Sequence, residues 1–123
     1  MSTDGSAAGE ELRDRTEPTR FELYRNRELV GELVYRHLQP NRYVLLHTEV
    51  LPDHRGQGVG SALVRAALAQ IRTRSGTVTA VCSFVVDFLD GNGEFADIID
   101  SQHPGYPNRA AAEAARDRWL QRQ

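Results

Sequence analysis

Past residue 18 the chain alternates apolar and polar side chains. Residues 21–24, 29–36 and 43–50 form three such segments, interrupted at Asn26 and at Gln39-Pro40-Asn41. Alternation marks half-buried strands, and Asn and Pro at the breaks bring turn geometry, so an antiparallel meander is predicted. Strict alternation through its last strand puts Tyr43, Leu45, His47 and Glu49 on one face. Val44, Leu46, Thr48 and Val50 fall on the other, and Pro52 ends the strand.

From Gly58 the period lengthens. Val59, Ala62, Leu63, Ala66, Ala67, Gln70 and Ile71 recur at helical spacing, with Gly76 as the stop. The β-branched run at 77–82 reads as a strand beside 43–50. Strand, helix and strand in that order imply a parallel pair with a right-handed crossover and the helix on one sheet face. Residues 83–89 read as a short helix broken near Asp90-Gly91-Asn92-Gly93, and a helical turn follows. Phe84, Phe88 and Phe95 are expected to bury these pieces against the sheet. The tail from 110 is a strong helix former, with Ala111, Ala115 and Trp119 on one side and Trp119 as its anchor. The expected class is α/β with a mixed (α+β) sheet. Residues 1–17, small and charged, are expected as a disordered leader, 18–101 as the folded domain, and 102–123 as a linker and packed C-terminal helix.

Composition narrows the chemistry. At 123 residues and 40% apolar content the chain fits one domain with a modest core. A net charge of -2 gives no basic excess for a nucleic acid and leans slightly toward a basic amine or polyamine as partner. One cysteine, Cys82, permits neither an internal disulfide nor a multi-thiolate metal site, and His37, His47, His54 and His103 lack ligand spacing, so no metal is expected. No apolar run approaches the roughly 18 residues of a membrane span, and the first residues lack a signal-peptide core. The expectation is a cytoplasmic protein without a membrane partner, monomeric or weakly dimeric through open sheet edges.

Two clusters stand out. Between the third strand and the helix, Arg55-Gly56-Gln57-Gly58-Val59-Gly60 places glycines at a helix N-terminus, where about four backbone N–H groups lack intrahelical partners. Glycine there lets an anion approach, with Arg55, Gln57 and Ser61 as further donors. The other reading is a tight strand-to-helix turn with close helix packing. His47 and Glu49 share a strand face, and Cys82 ends the neighbouring strand, so imidazole, carboxylate and thiol converge near the same helix start. A nucleophilic thiol needs a neighbouring base or a helix N-terminus. An inert core cysteine and a solvated Glu49 are the alternatives.

The stretch HTEVLPDHRGQGVGSALVRAAL, followed by VCSFVVDFL and EFADII, resembles the small, single-domain GCN5-related N-acetyltransferase-like family. The resemblance implies acetyl-CoA as cofactor, with its pyrophosphate on Gln57, Gly58, Val59, Gly60 and Ser61, helped by Arg55. It further implies a pantetheine arm along 48–51, including Val50 and Leu51, and chemistry at Cys82 with His47 and Glu49. Ala80 stands where members often carry Pro, and Asn92-Gly93 where they carry His-Pro. The implied activity is acetyl transfer to an amine of a small molecule or protein, with Cys82 as acyl acceptor or general acid. A coenzyme A binding or sensing module without turnover is the alternative, and a purely structural domain the third.

Overall fold

Alternation becomes strand wherever a turn returns the chain on itself. In the computed structural model, which describes residues 9–122, β2 (Thr19–Arg25), β3 (Glu28–Leu38) and β4 (Arg42–Val50) form the expected meander. Asn26 and Arg27 turn the first hairpin with positive φ angles of 52° and 69°. Helix α1 (Val59–Thr73) then crosses to β5 (Thr77–Ala80), which runs parallel to β4. Leu63, Val64, Ala67, Leu68 and Ile71 of α1 are fully buried, facing Phe21, Leu23, Leu33 and Leu45 of the sheet. This apolar contact is the core.

Two parts of the sheet differ from the sequence expectation. The leader does not extend to residue 17: Glu10–Thr16 form β1, antiparallel to β2, in a five-stranded sheet ordered β1-β2-β3-β4-β5. Its charges find partners from other strands and from Arg74, the residue that follows α1. Arg25 bonds Glu10 at 3.0 Å, Arg15 bonds Glu22 at 2.8 Å, and Asp14 accepts from Tyr35 Oη at 2.6 Å and Arg74 at 2.7 Å. Charges that read as solvated become cross-strand pairs, while they also shield an open sheet edge. The rest of the expected leader, residues 1–8, lies outside the described residues.

The second difference is a bulge. Val34 pairs with His47 but Tyr35 pairs with Leu45, so Leu46 is an extra residue in β4. One inserted residue inverts the alternation beyond it. Tyr43 and Leu45 face α1, and Thr48, opposite the buried Leu33, joins their face. His47 and Glu49 remain neighbours but lie on the opposite face from Tyr43 and Leu45.

After β5 come α2 (Ser83–Gly91) and a 3₁₀ turn over Gly93–Ile98. The chain then borders the outer edge of β5, with Asp100 N–H on Val78 O at 2.9 Å and Tyr106 N–H on Ala80 O at 3.0 Å. Helix α3 (Arg109–Gln121) begins at an Asn108 cap that accepts from Ala111 N–H at 2.9 Å. It docks beside α2 through Ala112, 3% exposed, one position off the predicted stripe. Trp119 is 59% exposed and is not the anchor. The contact sits near the helix start because residues 104–106 fix that end to β5. Phe88 and Phe95 are buried as expected, whereas Phe84 is half exposed against α1. No helix among the described residues is long and apolar enough to cross a membrane.

Candidate active site

The β4–β5 ladder ends at Leu45 and Ala80, and the strands part there. Val81 and Cys82 both donate their N–H groups to Leu45 O, at 3.1 and 2.9 Å, which turns the chain out of the sheet. Cys82 is therefore the residue preceding α2, not the end of β5. Meanwhile β4 continues to Val50 beside β3 alone. Leu51 N–H bonds Val30 O at 3.0 Å and so faces β3. Backbone groups alternate along a strand, so those of Val50 and Thr48 point the other way, into the gap. Val50 O is met there by Arg55 Nε at 3.3 Å.

At one end of the gap lies the glycine turn. Gly58 precedes α1 with φ 74° and ψ 15°, a left-handed conformation, and no side chain caps the helix. The first helical bond is Ala62 N–H to Gly58 O at 3.1 Å, which leaves the N–H groups of Val59, Gly60 and Ser61 without intrahelical partners. No acidic residue occupies the first turn, so the positive end of the helix dipole is uncompensated. A Cβ added at Gly58 would meet nothing within 4 Å. At Gly60 it would strike the Phe84 ring at 2.7 Å. The two glycines thus serve different ends: Gly58 supplies a backbone conformation beside open space, and Gly60 lets the starts of α1 and α2 meet.

The turn is tied to the rest of the fold by residues the sequence reading did not select. His54 shares hydrogen bonds with Glu28 at 3.0 Å and Gln57 at 3.3 Å, while Arg25 donates to Gln57 O at 3.4 Å. The hydrogen bond to Glu28 raises the His54 pKa above its ordinary 6.5, and the bond to Gln57 adds to it. Glu28 is 26 residues away in sequence, and no local pattern announces the pair.

The three candidate chemical groups divide into two pairs. His47 Nε2 lies 3.1 Å from Glu49 Oε1, with both side chains well exposed, and Arg55 stands 3.6 Å from Glu49. Cys82, 8% exposed, has its Sγ 3.4 Å from Thr48 Oγ1. The bulge at Leu46 is what turns Thr48 toward the thiol and His47 away from the core. His47 and Cys82 nonetheless line one cavity of about 420 Å³, which extends over Ser83 to Tyr106, Arg116 and Trp119. A larger depression of about 980 Å³ runs between β1 and α1, along Leu12, Ala66 and Gln70, remote from the gap. Among the described residues, no group of three or more His, Cys, Asp or Glu is placed to hold a metal ion.

Residues 20–98 match the family model described as GCN5-related N-acetyl-transferase. The chain belongs to this family. The match takes in β2 to β5, α1, α2 and the 3₁₀ turn to Ile98, and leaves β1 and α3 outside it. No curated protein matches the chain. Among solved structures, Ard1 from Thermoplasma volcanium is 26% identical, over 50% of this chain and 42% of that one, with a TM-score of 0.44. A nourseothricin acetyltransferase is 30% identical, over 52% of this chain and 41% of that one, with a TM-score of 0.41. The chain spans about two fifths of either structure.

Proposed function

We propose that this GCN5-related N-acetyltransferase carries an acetyl group from acetyl-CoA to an amine. The observation that carries the reading is the parting of β4 and β5 beside the uncapped, acid-free start of α1, in a chain of this family. Those features fit a pyrophosphate-bearing cofactor. The N–H groups of Val59, Gly60 and Ser61 offer anion donors, Arg55 adds a cation, and Gln57 and Gly58 shape the approach. The gap-facing backbone of Thr48 and Val50, with Val50 O held by Arg55 and Leu51 beyond, gives a strand edge suited to the amides of the pantetheine arm.

Bound acetyl-CoA supplies the thioester at whose acyl carbon a C–N bond forms as the C–S bond breaks. His47 takes the proton that the amine loses, directly or through water, and Glu49, 3.1 Å away, holds the imidazole in place. Cys82 gives a proton to the departing sulfur. Its hydrogen-bond neighbour is the Thr48 hydroxyl rather than a base, which supports a proton donor over a covalent acyl acceptor. The burial of Cys82 also supports a second reading, a coenzyme A binding module without turnover.

Calorimetric titration with coenzyme A and acetyl-CoA, followed by thiol release in the presence of amines, tests the proposal. Binding with amine-dependent thiol release, reduced in His47→Ala and Cys82→Ala at unchanged cofactor affinity, is expected. Binding without release for any amine would leave the module reading in its place. An acetyl mass on the native protein that Cys82→Ala abolishes would move Cys82 to acyl acceptor.

A further inference from the structure

The cavity at the open end of the gap has one wall that family membership does not explain. Tyr106 and the whole of α3 lie beyond the residues of the family match, yet they close the space above His47 and Cys82. Its volume of about 420 Å³ is within the roughly 300–1,000 Å³ of small-molecule sites. Ala112 and Ala115 keep the α3 side open, while Tyr106 and Trp119 bring aromatic surface to it.

Charge is divided along the cavity: the Glu49 carboxylate stands 3.1 Å behind His47 at one end, and a cation lies on the α3 side. None of its lining residues is Asp or Glu, and Arg116 is the one lining group that is always cationic. Arg116 makes no ion pair with another described residue. Glu113, one helical turn away, is instead bonded by Arg109 at 3.0 Å. With no ion-pair partner among the described residues and an exposed indole one helical turn on, the Arg116 guanidinium is suited to a carboxylate, which it can hold by two parallel hydrogen bonds, and the indole to a flat ring stacked on it. A polyamine or a lysine chain would bring a second cation to a place that already has one.

We infer that the cavity beneath α3 selects an acceptor amine bearing a flat apolar body and a carboxylate, the chemistry of an aromatic α-amino acid. Arg116 receives the carboxylate, Trp119 the ring, and the amine points to His47 and the gap beside Cys82. The inference rests on the acetyl-transfer reading for its reaction, in which the amine nitrogen gains the acetyl group, coenzyme A leaves as the thiol, and the product is an N-acetylated acid. It reverses the lean toward basic amines drawn from net charge. A net charge of -2 is a sum over the whole surface, whereas a ligand in a cavity meets the nearest charges first.

Trp119 is the single tryptophan, so its fluorescence reports on the cavity directly. The full chain is titrated with L-phenylalanine, phenethylamine and spermidine, excited at the red edge of the indole band, with coenzyme A present and absent. L-phenylalanine is expected to shift the emission saturably at concentrations about tenfold or more below phenethylamine, as a charge-assisted hydrogen-bond pair allows, with spermidine inactive. Arg116→Gln removes the difference between the first two, Arg116→Lys keeps part of it, and calorimetric affinity for coenzyme A stays unchanged in both. In turnover assays, N-acetylphenylalanine is the expected product. Equal responses to L-phenylalanine and phenethylamine, or stronger binding of spermidine, would overturn the inferred class. Failure of coenzyme A to bind would instead overturn the acetyl-transfer reading, and the fluorescence arm would still decide whether the cavity takes such a ligand.

Discussion

Replacing Gly58 by alanine separates the two uses of the glycine turn. At φ 74° an L-residue costs about 1–2 kcal/mol, and the stiffer unfolded chain returns about 0.4–1 kcal/mol of that. A net loss near 1 kcal/mol is expected, which lowers Tm by roughly 3–6 °C for a domain of this size. The methyl group meets no protein atom within 4 Å, so no packing defect adds to that figure. It does stand in front of an uncapped helix start. If a pyrophosphate accepts from the Val59, Gly60 and Ser61 amides, even one lost charge-assisted hydrogen bond, about 1.5–3 kcal/mol, weakens coenzyme A by roughly 10–100-fold. Calorimetry for affinity and thermal melting for stability read the two effects separately. A Tm that falls as stated while Kd changes less than about twofold would refute the anion site and leave the glycine to the turn alone. Gly60→Ala is the control, since its methyl group must displace the Phe84 ring and so perturbs the α1–α2 contact first.

Asp14→Ala removes the acceptor of the buried Tyr35 hydroxyl, whose pKa burial and the Asp14 carboxylate push well above its ordinary 10.0, and also the partner of Arg74. A loss of about 1–3 kcal/mol is expected in urea unfolding, and one below about 0.5 kcal/mol would show that β1 is not held by this carboxylate. The tie from His54 to Glu28 carries a pH signature. Because Glu28 raises the histidine pKa above 6.5, its stabilisation is complete below that value and fades as pH rises through the folded-state pKa. Unfolding free energy measured across that range should lose this component in Glu28→Gln, and an identical pH profile in the variant would remove the tie from the account. Ala112→Glu puts a carboxylate at a 3% exposed contact and should undock α3. Hydrogen exchange is expected to lose protection over α3 while β2 to β4 keep theirs, and uniform loss would show instead that α3 is part of the core's cooperative unit.

The meander, the amphipathic α1, the parallel return to β5 and the glycine turn at the helix start were all legible in the sequence. Each depends on the spacing of side chains within a few residues of one another, and such spacing is a property of the chain itself. The features that define the site depend on partners far along the chain. Nothing in Leu45-Leu46-His47-Thr48 marks Leu46 as the inserted residue; its register against Val34 and Tyr35 does, and that one insertion carries Thr48 to the thiol and His47 to the opposite face. Residues 10–16 read as a charged leader until Glu22, Arg25, Tyr35 and Arg74 are brought within hydrogen-bond distance. The glycine at 60 reads as room for a ligand until Phe84 is placed against it. One wall of the cavity is α3, whose start follows residues 104–106 bonded to the edge of β5, far along the chain from His47. Periodicity determined which segments fold as strand and helix, whereas register and long-range pairing, which no local pattern encodes, decided which side chains meet in the gap.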